Sequence, residues 1–261
     1  MLILAALLPA FAQDVPLLFS VTDARGSYVV DLTEQDFQVF ENGRPQDGIV
    51  AFRRESGLPL RLGILIDTRD SRPAFEKQVH EFFRNVLTKD DKAFLVGFDT
   101  SSDLIVDFTG DVDALAGGVR KIHPGNGAVL YDAVFYACWD KLQAFPPDQF
   151  RRALVVVSNG QDTESRVKLE QALEIAHRTQ VVVFSISTAG SNLALDQLTD
   201  QSGGFSSKSF EKIADELQHQ SFLLYIPKPF VADGQFHKVE IRPRDHNLRV
   251  RTRMGYYAPS R

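Results

Sequence analysis

The sequence predicts an α/β protein, a doubly wound and mainly parallel sheet inserted in a small antiparallel β-sandwich formed by both chain ends. Three observations lead there. Residues 60–66, LRLGILI, are apolar without regular alternation, the pattern of a strand covered by helices on both faces. From there to residue 220, such strands alternate with amphipathic stretches at the spacing of βαβ units. Before residue 58 and after residue 221 the hydrophobic period falls to two, the repeat of half-buried antiparallel strands.

Taken in order, residues 1–12 are an apolar run ending in Ala10-Phe11-Ala12, a small-x-small cleavage pattern that reads as a secretory signal segment. The run is shorter than the roughly 20 residues a spanning helix needs, and it carries no Lys or Arg ahead of the apolar core. Export to the periplasm or the cell exterior is the expectation, with no stable membrane span elsewhere. Residues 13–58 read as three or four antiparallel strands, Asn42-Gly43 being the strongest hairpin signal in the chain. Residues 59–220 form the α/β domain. Phe75, Val79, Phe82, Phe83, Val86 and Leu87 recur at helical spacing, with Pro73 in the permitted first turn. Two strands follow, then a helix weakened by Gly117 and Gly118, a glycine-rich loop at residues 123–127, and a long apolar helix to Phe145 that Pro146-Pro147 end. Strand, helix, strand, helix, a short edge strand and a closing helix complete the domain. Right-handed crossovers place the loops after Ile66, Val157 and Ile186 on one edge, so Asp67, residues 158–162 and residues 188–191 are expected to converge. Residues 221–261 return to short, basic strands, and neither chain end alone has enough strands to bury a face.

Composition narrows the function classes. At 261 residues and 44% hydrophobic the chain can bury a substantial core, and a net charge of -5 gives no basis for nucleic-acid binding. The single cysteine, Cys138, rules out an internal disulfide framework and sits in an apolar stretch that predicts burial.

Three segments carry a family resemblance: DTRDS at residues 67–71, GAVLYDA at 127–133 and VVVSNGQDT at 155–163. Together they resemble the metal-ion-dependent adhesion site of von Willebrand factor A (VWFA) domains. In those domains a buried strand ends in Asp-x-Ser-x-Ser, followed by a Thr loop and a later strand ending in Ser-Asp-Gly. More narrowly the chain is similar to VWFA-related proteins of acidobacteria, which share the flanking elements and a terminal Gly-Tyr-Tyr-Ala-Pro like residues 255–259. The resemblance implies a site where Ser and Thr hydroxyls hold a divalent cation and an open coordination position takes a carboxylate from a protein or peptide partner. Here Asp67 and Ser71 match, while Arg69 replaces the middle Ser, Ala128 the Thr and Asn159 the Asp.

Those replacements predict a degenerate site at Asp67, Arg69, Ser71, Ala128 and Asn159, with Asp70, Asp132 and Asp162 as secondary positions. Mg2+ needs about six oxygens in octahedral array. Ala128 removes one oxygen, and Arg69 adds a guanidinium with five donors and no acceptor. No metal ligand and no cofactor are therefore assigned, although Mg2+ stays open, as does Ca2+ at an irregular set of Asp70, Asp99, Asp103 and Asp162. Arg69 either pairs with Asp67 or Asp132 in the cation's place, or projects into solvent from a relic site. No G-x-S-x-G elbow, Walker loop or G-x-G-x-x-G is present, and no His pair has ligand spacing, so no catalytic residue is assigned. The expected role is a non-enzymatic adhesion or assembly module. A metal-dependent hydrolase and a purely structural envelope component are the alternatives. Phe82, Phe83, Phe135, Tyr136, Trp139 and Phe145 are expected in the core, the charges of residues 242–253 on a solvated sheet face, and His237 in a solvated or capping role.

Overall fold

In the computed structural model, which describes residues 14–54, 56–70 and 73–260, the first strands are β1 (Val15–Thr22), β2 (Phe37–Glu41), β3 (Arg44–Gln46) and β4 (Ile49–Arg53). The expected signal segment lies outside the described residues. Asn42 and Gly43, between β2 and β3, have φ of 48° and 78°, the left-handed pair that a tight hairpin turn requires.

The chain continues through β5 (Leu60–Asp67), α1 (Pro73–Val86), β6 (Lys92–Phe98), β7 (Ser102–Thr109), α2 (Val112–Val119) and α3 (Leu130–Tyr136). Next come β8 (Arg151–Ser158), α4 (Leu169–Arg178), β9 (Val182–Ser187), α5 (Leu193–Ser202), β10 (Ser206–Ser207) and α6 (Phe210–Gln218). β11 (Ser221–Tyr225), β12 (Phe236–Pro243), β13 (Arg249–Thr252) and β14 (Gly255–Tyr257) close the chain.

The middle strands form one sheet in the order β10-β9-β8-β5-β6-β7, parallel except for β7. All eight residues of β5 are buried, as a central strand between two helical layers demands. Leu62, Ile64 and Ile66 pack with Val79, Phe83, Ile213 and Leu217 from α1 and α6 on one face. Leu65, Leu154 and Val156 pack with Ala133, Ala172 and Leu195 from α3, α4 and α5 on the other. Gly63 lies where a methyl group would strike the Phe94 ring and Leu154. Gly63→Ala is accordingly expected to destabilise the chain by about 1–3 kcal/mol, read as a lower urea midpoint at unchanged slope.

The two chain ends share a sandwich. Its sheets run β13-β1-β11-β4 and β14-β12-β2-β3, so β1 is held on both sides by C-terminal strands and β2 lies between β12 and β3. β12 alternates buried and exposed residues, with His237, Val239 and Ile241 facing the core that Phe19, Phe37 and Tyr225 fill.

Three expectations need correction. Residues Ala137–Leu142 wind as a π-helical segment whose wider turn brings Leu142 into the core, while Trp139 stands on the surface, 47% exposed, on the side of the helix away from Leu130, Ala133, Val134 and Ala137. Arg253 is buried because the chain crosses there from β13 in one sheet to β14 in the other. His237 is buried too, its imidazole between Glu41 and Asp233.

Candidate functional site

β5 and β8 lie side by side at the centre of the sheet, and the chain winds outward from them in opposite directions. This is the switch point at which open α/β sheets bind ligands, beyond the carboxyl ends of their strands. Asp67 ends β5 and Ser158 ends β8, and both are fully buried. The Ser158 hydroxyl donates to Asp67 Oδ2 at 3.0 Å and accepts from the Gly160 N–H at 3.0 Å.

After Asp67 the backbone turns through a single 3-10 turn, Thr68–Asp70, which carries Arg69 back over the strand end. The Arg69 N–H donates to Asp67 Oδ1 at 3.1 Å, and its guanidinium adds Nε to Oδ1 at 3.0 Å and Nη2 to Oδ2 at 2.8 Å. A fork-on-fork pair of this kind fixes the orientation of both groups. Nη2 also donates to the Gln161 carbonyl at 3.0 Å, which joins the β5 loop to the β8 loop. The Arg69 side chain keeps 19% exposure over a carboxylate with none, so the pair lies at the mouth of the loops.

The other sequence-assigned positions take structural partners. Asn159 Oδ1 accepts from the Gln161 N–H at 2.8 Å and so shapes the turn that presents the Gln161 carbonyl to Arg69. Ala128 is buried; its N–H donates to Thr163 Oγ1 at 2.9 Å and its carbonyl accepts from the Thr163 N–H at 2.9 Å. Asp132, one of the two partners the sequence left open for Arg69, instead accepts from the Arg166 and Val167 N–H groups. Asp162 accepts from the Ser165 hydroxyl and the Tyr131 N–H near the start of α3. Asp99 and Asp103 serve their own turn, taking Thr100, Ser101 and the Ser101 hydroxyl. Ser71 and the side chain of Asp70 lie outside the described residues.

Sequence reasoning brought residues 158–162 to this edge but gave no role to Ser158 or the Gln161 carbonyl, and it omitted Thr68, whose Oγ1 accepts from the Gly125 N–H at 3.0 Å and ties in the glycine-rich loop. Ser158 could have been found as the first residue of the Ser-Asn-Gly triplet. Gln161 acts through its backbone and leaves no side-chain signal.

Among the described residues, those at the end of β5 leave no carboxylate oxygen without a hydrogen-bond donor for a divalent ion to take. Both Asp67 oxygens face N–H donors of a permanent cation, and Ala128 brings no side-chain oxygen. Among the described residues, no three His, Cys, Asp or Glu side chains gather as a metal cluster. What the site holds instead is a fixed positive group on a buried carboxylate.

No protein-family model and no curated protein sequence matches the chain. Among solved structures, it is similar to BatB from Bacteroides thetaiotaomicron at 14% identity, covering 62% of this chain and 97% of that one, TM-score 0.48. It is also similar to proximal thread matrix protein 1 from the mussel byssus with a zinc-occupied MIDAS motif, at 12% identity over 62% and 47% of the two chains, TM-score 0.46. The VWA domain of SpRpn10 gives 16% identity, 61% and 94% coverage and a TM-score of 0.44. The strand order, the single antiparallel edge strand and the helices on both faces make this a VWFA-like fold.

Proposed function

We propose that the chain is an exported, non-enzymatic protein-binding module whose site works without a metal, Arg69 standing where the cation of a VWFA domain would stand. The observation that carries this reading is the doubly hydrogen-bonded Arg69–Asp67 pair at the carboxyl edge of the sheet. An ion at that position neutralises the buried Asp and offers positive charge outward. The guanidinium does the first by pairing and the second through its exposed edge. Its natural ligand is an Asp or Glu side chain on a protein or peptide partner, because a permanently charged guanidinium at the mouth of the loops attracts a carboxylate. Export rests on the apolar leader at residues 1–12, and no helix among the described residues is long and apolar enough to cross a membrane.

The test is capture of Asp- and Glu-containing peptides by the immobilised full chain, with and without EDTA. Binding is expected to persist in EDTA and to weaken about tenfold or more, roughly 1.4 kcal/mol, in Arg69→Gln. Circular dichroism must show the variant folded. Capture that EDTA abolishes and Arg69→Gln leaves intact would overturn the reading. Turnover of phosphate or peptide esters that EDTA abolishes would favour the metal-dependent hydrolase.

A further inference from the structure

Two sheet edges border one groove at the seam between the β-sandwich and the α/β domain. β13 is the outermost strand of its sheet and pairs with β1 alone, and β10 is outermost in the central sheet. Residues of both line a groove of about 1390 Å³, larger than the roughly 300–1,000 Å³ of small-molecule sites. Among the described residues, no hydrogen bond outside the β1 pairing reaches the N–H groups of residues 249–252. An edge in that state is a template for one more strand.

Side chains around β13 indicate what would pair with it. Alternation sets Val250 toward the sandwich core, where Val239 and Ile241 also line the groove, and it sets Arg249 and Arg251 on the opposite face. Arg251 is engaged, its Nη1 donating to the Gly204 carbonyl at 2.8 Å and its guanidinium 4.8 Å from the centre of the Phe205 ring. Arg25, Lys208, Lys212, Lys238 and Arg249 line the groove as exposed cations, without an ion pair or side-chain hydrogen bond among the described residues. Of the carboxylates there, Glu216 is taken by Ser20 and Tyr28 and Glu240 by Arg242, which leaves Asp196, Asp200 and Asp215. Those three stand on α5 and α6, whereas Arg249 stands on β13 and Lys208 directly follows β10. The strand edges are therefore the electropositive part of the groove.

We propose that the groove receives an extended segment of a partner protein, added as a further strand on β13, with acidic residues at alternate positions and apolar residues between them. The acidic set meets the Arg249 face and the apolar set the face of Val239, Ile241 and Val250, while the backbone pairs with the open edge. β13 is four residues long, so the added strand covers about 14 Å. A second copy of this chain is the poorer occupant. Two-fold pairing of β13 with itself keeps like faces together and sets arginine opposite arginine, which is destabilising. Asp67, Arg69 and Ser158 do not line the groove, so this surface is separate from the adhesion edge.

Amide hydrogen exchange of the full wild-type chain, with and without a short peptide of alternating Glu and Val, tests this because it reads the edge itself. Protection is expected to rise across residues 249–252 when the peptide is present. Fluorescence anisotropy with the same peptide is then measured on Arg69→Gln, so that the adhesion edge does not contribute. Adding Arg249→Glu, a change at an exposed side chain, is expected to weaken binding about tenfold or more. Methylating one alternate set of peptide amides abolishes binding, and methylating the other set spares it. Exchange at residues 249–252 that the peptide leaves unchanged would overturn the proposal, as would equal affinity for a Lys-Val peptide. A dimer of the free chain whose stability Arg249→Glu alters would make a second copy the occupant and overturn it too. None of these readouts depends on Arg69, so failure here leaves the peptide-binding reading to its own test.

Discussion

A chain carrying Arg69→Ser, Ala128→Thr and Asn159→Asp together is expected to bind Mn2+ and Mg2+, where the unmodified chain binds neither. The largest step comes from Arg69. Two unit charges 4 Å apart at an effective dielectric of 20 interact by about 4 kcal/mol, and a divalent ion doubles the repulsion. Removing the guanidinium also releases the Asp67 oxygens, now engaged at 2.8 and 3.0 Å. Ala128→Thr then supplies a hydroxyl on a residue whose backbone Thr163 already fixes, and Asn159→Asp restores a charge at the end of β8. Calorimetry with Mn2+ is expected to give a dissociation constant of about 10 μM for the triple variant, roughly −7 kcal/mol. Arg69→Ser alone should bind more weakly, and Ala128→Thr alone not at all. If the unmodified chain binds Mn2+ at micromolar concentration and Asp67→Ala abolishes this, the side-chain cation is no substitute for the metal.

How far the sequence carries depends on which physical signal a feature leaves. The buried strands β5, β8 and β9 announce themselves, because a strand covered on both faces has no reason to alternate. The shared sandwich follows from a shortage, too few strands at either end to cover one face. The position of Arg69 two residues after Asp67 is visible as spacing, yet spacing does not choose between Asp67 and Asp132. That choice is made by the 3-10 turn, which folds the guanidinium back over its own strand, and by the Arg166 and Val167 N–H groups that occupy Asp132. Period-two alternation likewise shows which residues share a face but not whether a second sheet covers it. Hence His237 and Arg253 read as surface residues and are found inside. Trp139 fails for a different reason, since helical spacing itself sets it opposite the buried Leu130, and only its large apolar ring argued for the core.

Glu41→Leu is expected to destabilise the chain by about 3–5 kcal/mol and to lower its melting temperature by about 10 °C. Glu41 is 6% exposed and accepts from the Tyr225 hydroxyl at 2.6 Å, the Tyr256 hydroxyl at 3.3 Å and His237 Nδ1 at 2.7 Å. Its removal orphans all three inside the sandwich core. The other ring nitrogen of His237 lies 3.2 Å from Asp233 Oδ1, so both nitrogens face carboxylates and the imidazolium is the form they favour. Burial alone would push the His237 pKa down; the hydrogen bonds and charges of Glu41 and Asp233 outweigh it and hold the pKa above its ordinary value of 6.5. The sign of the linkage follows. The folded chain holds this proton more tightly than the unfolded chain, so the associated stability is complete below about pH 6.5 and is lost as pH rises through the folded pKa. Urea unfolding of the wild type and His237→Gln at a series of pH values checks it. The wild-type advantage should be greatest near pH 6 and shrink toward pH 9, and an advantage that grows with pH would mean that His237 is buried neutral, donating from one nitrogen only.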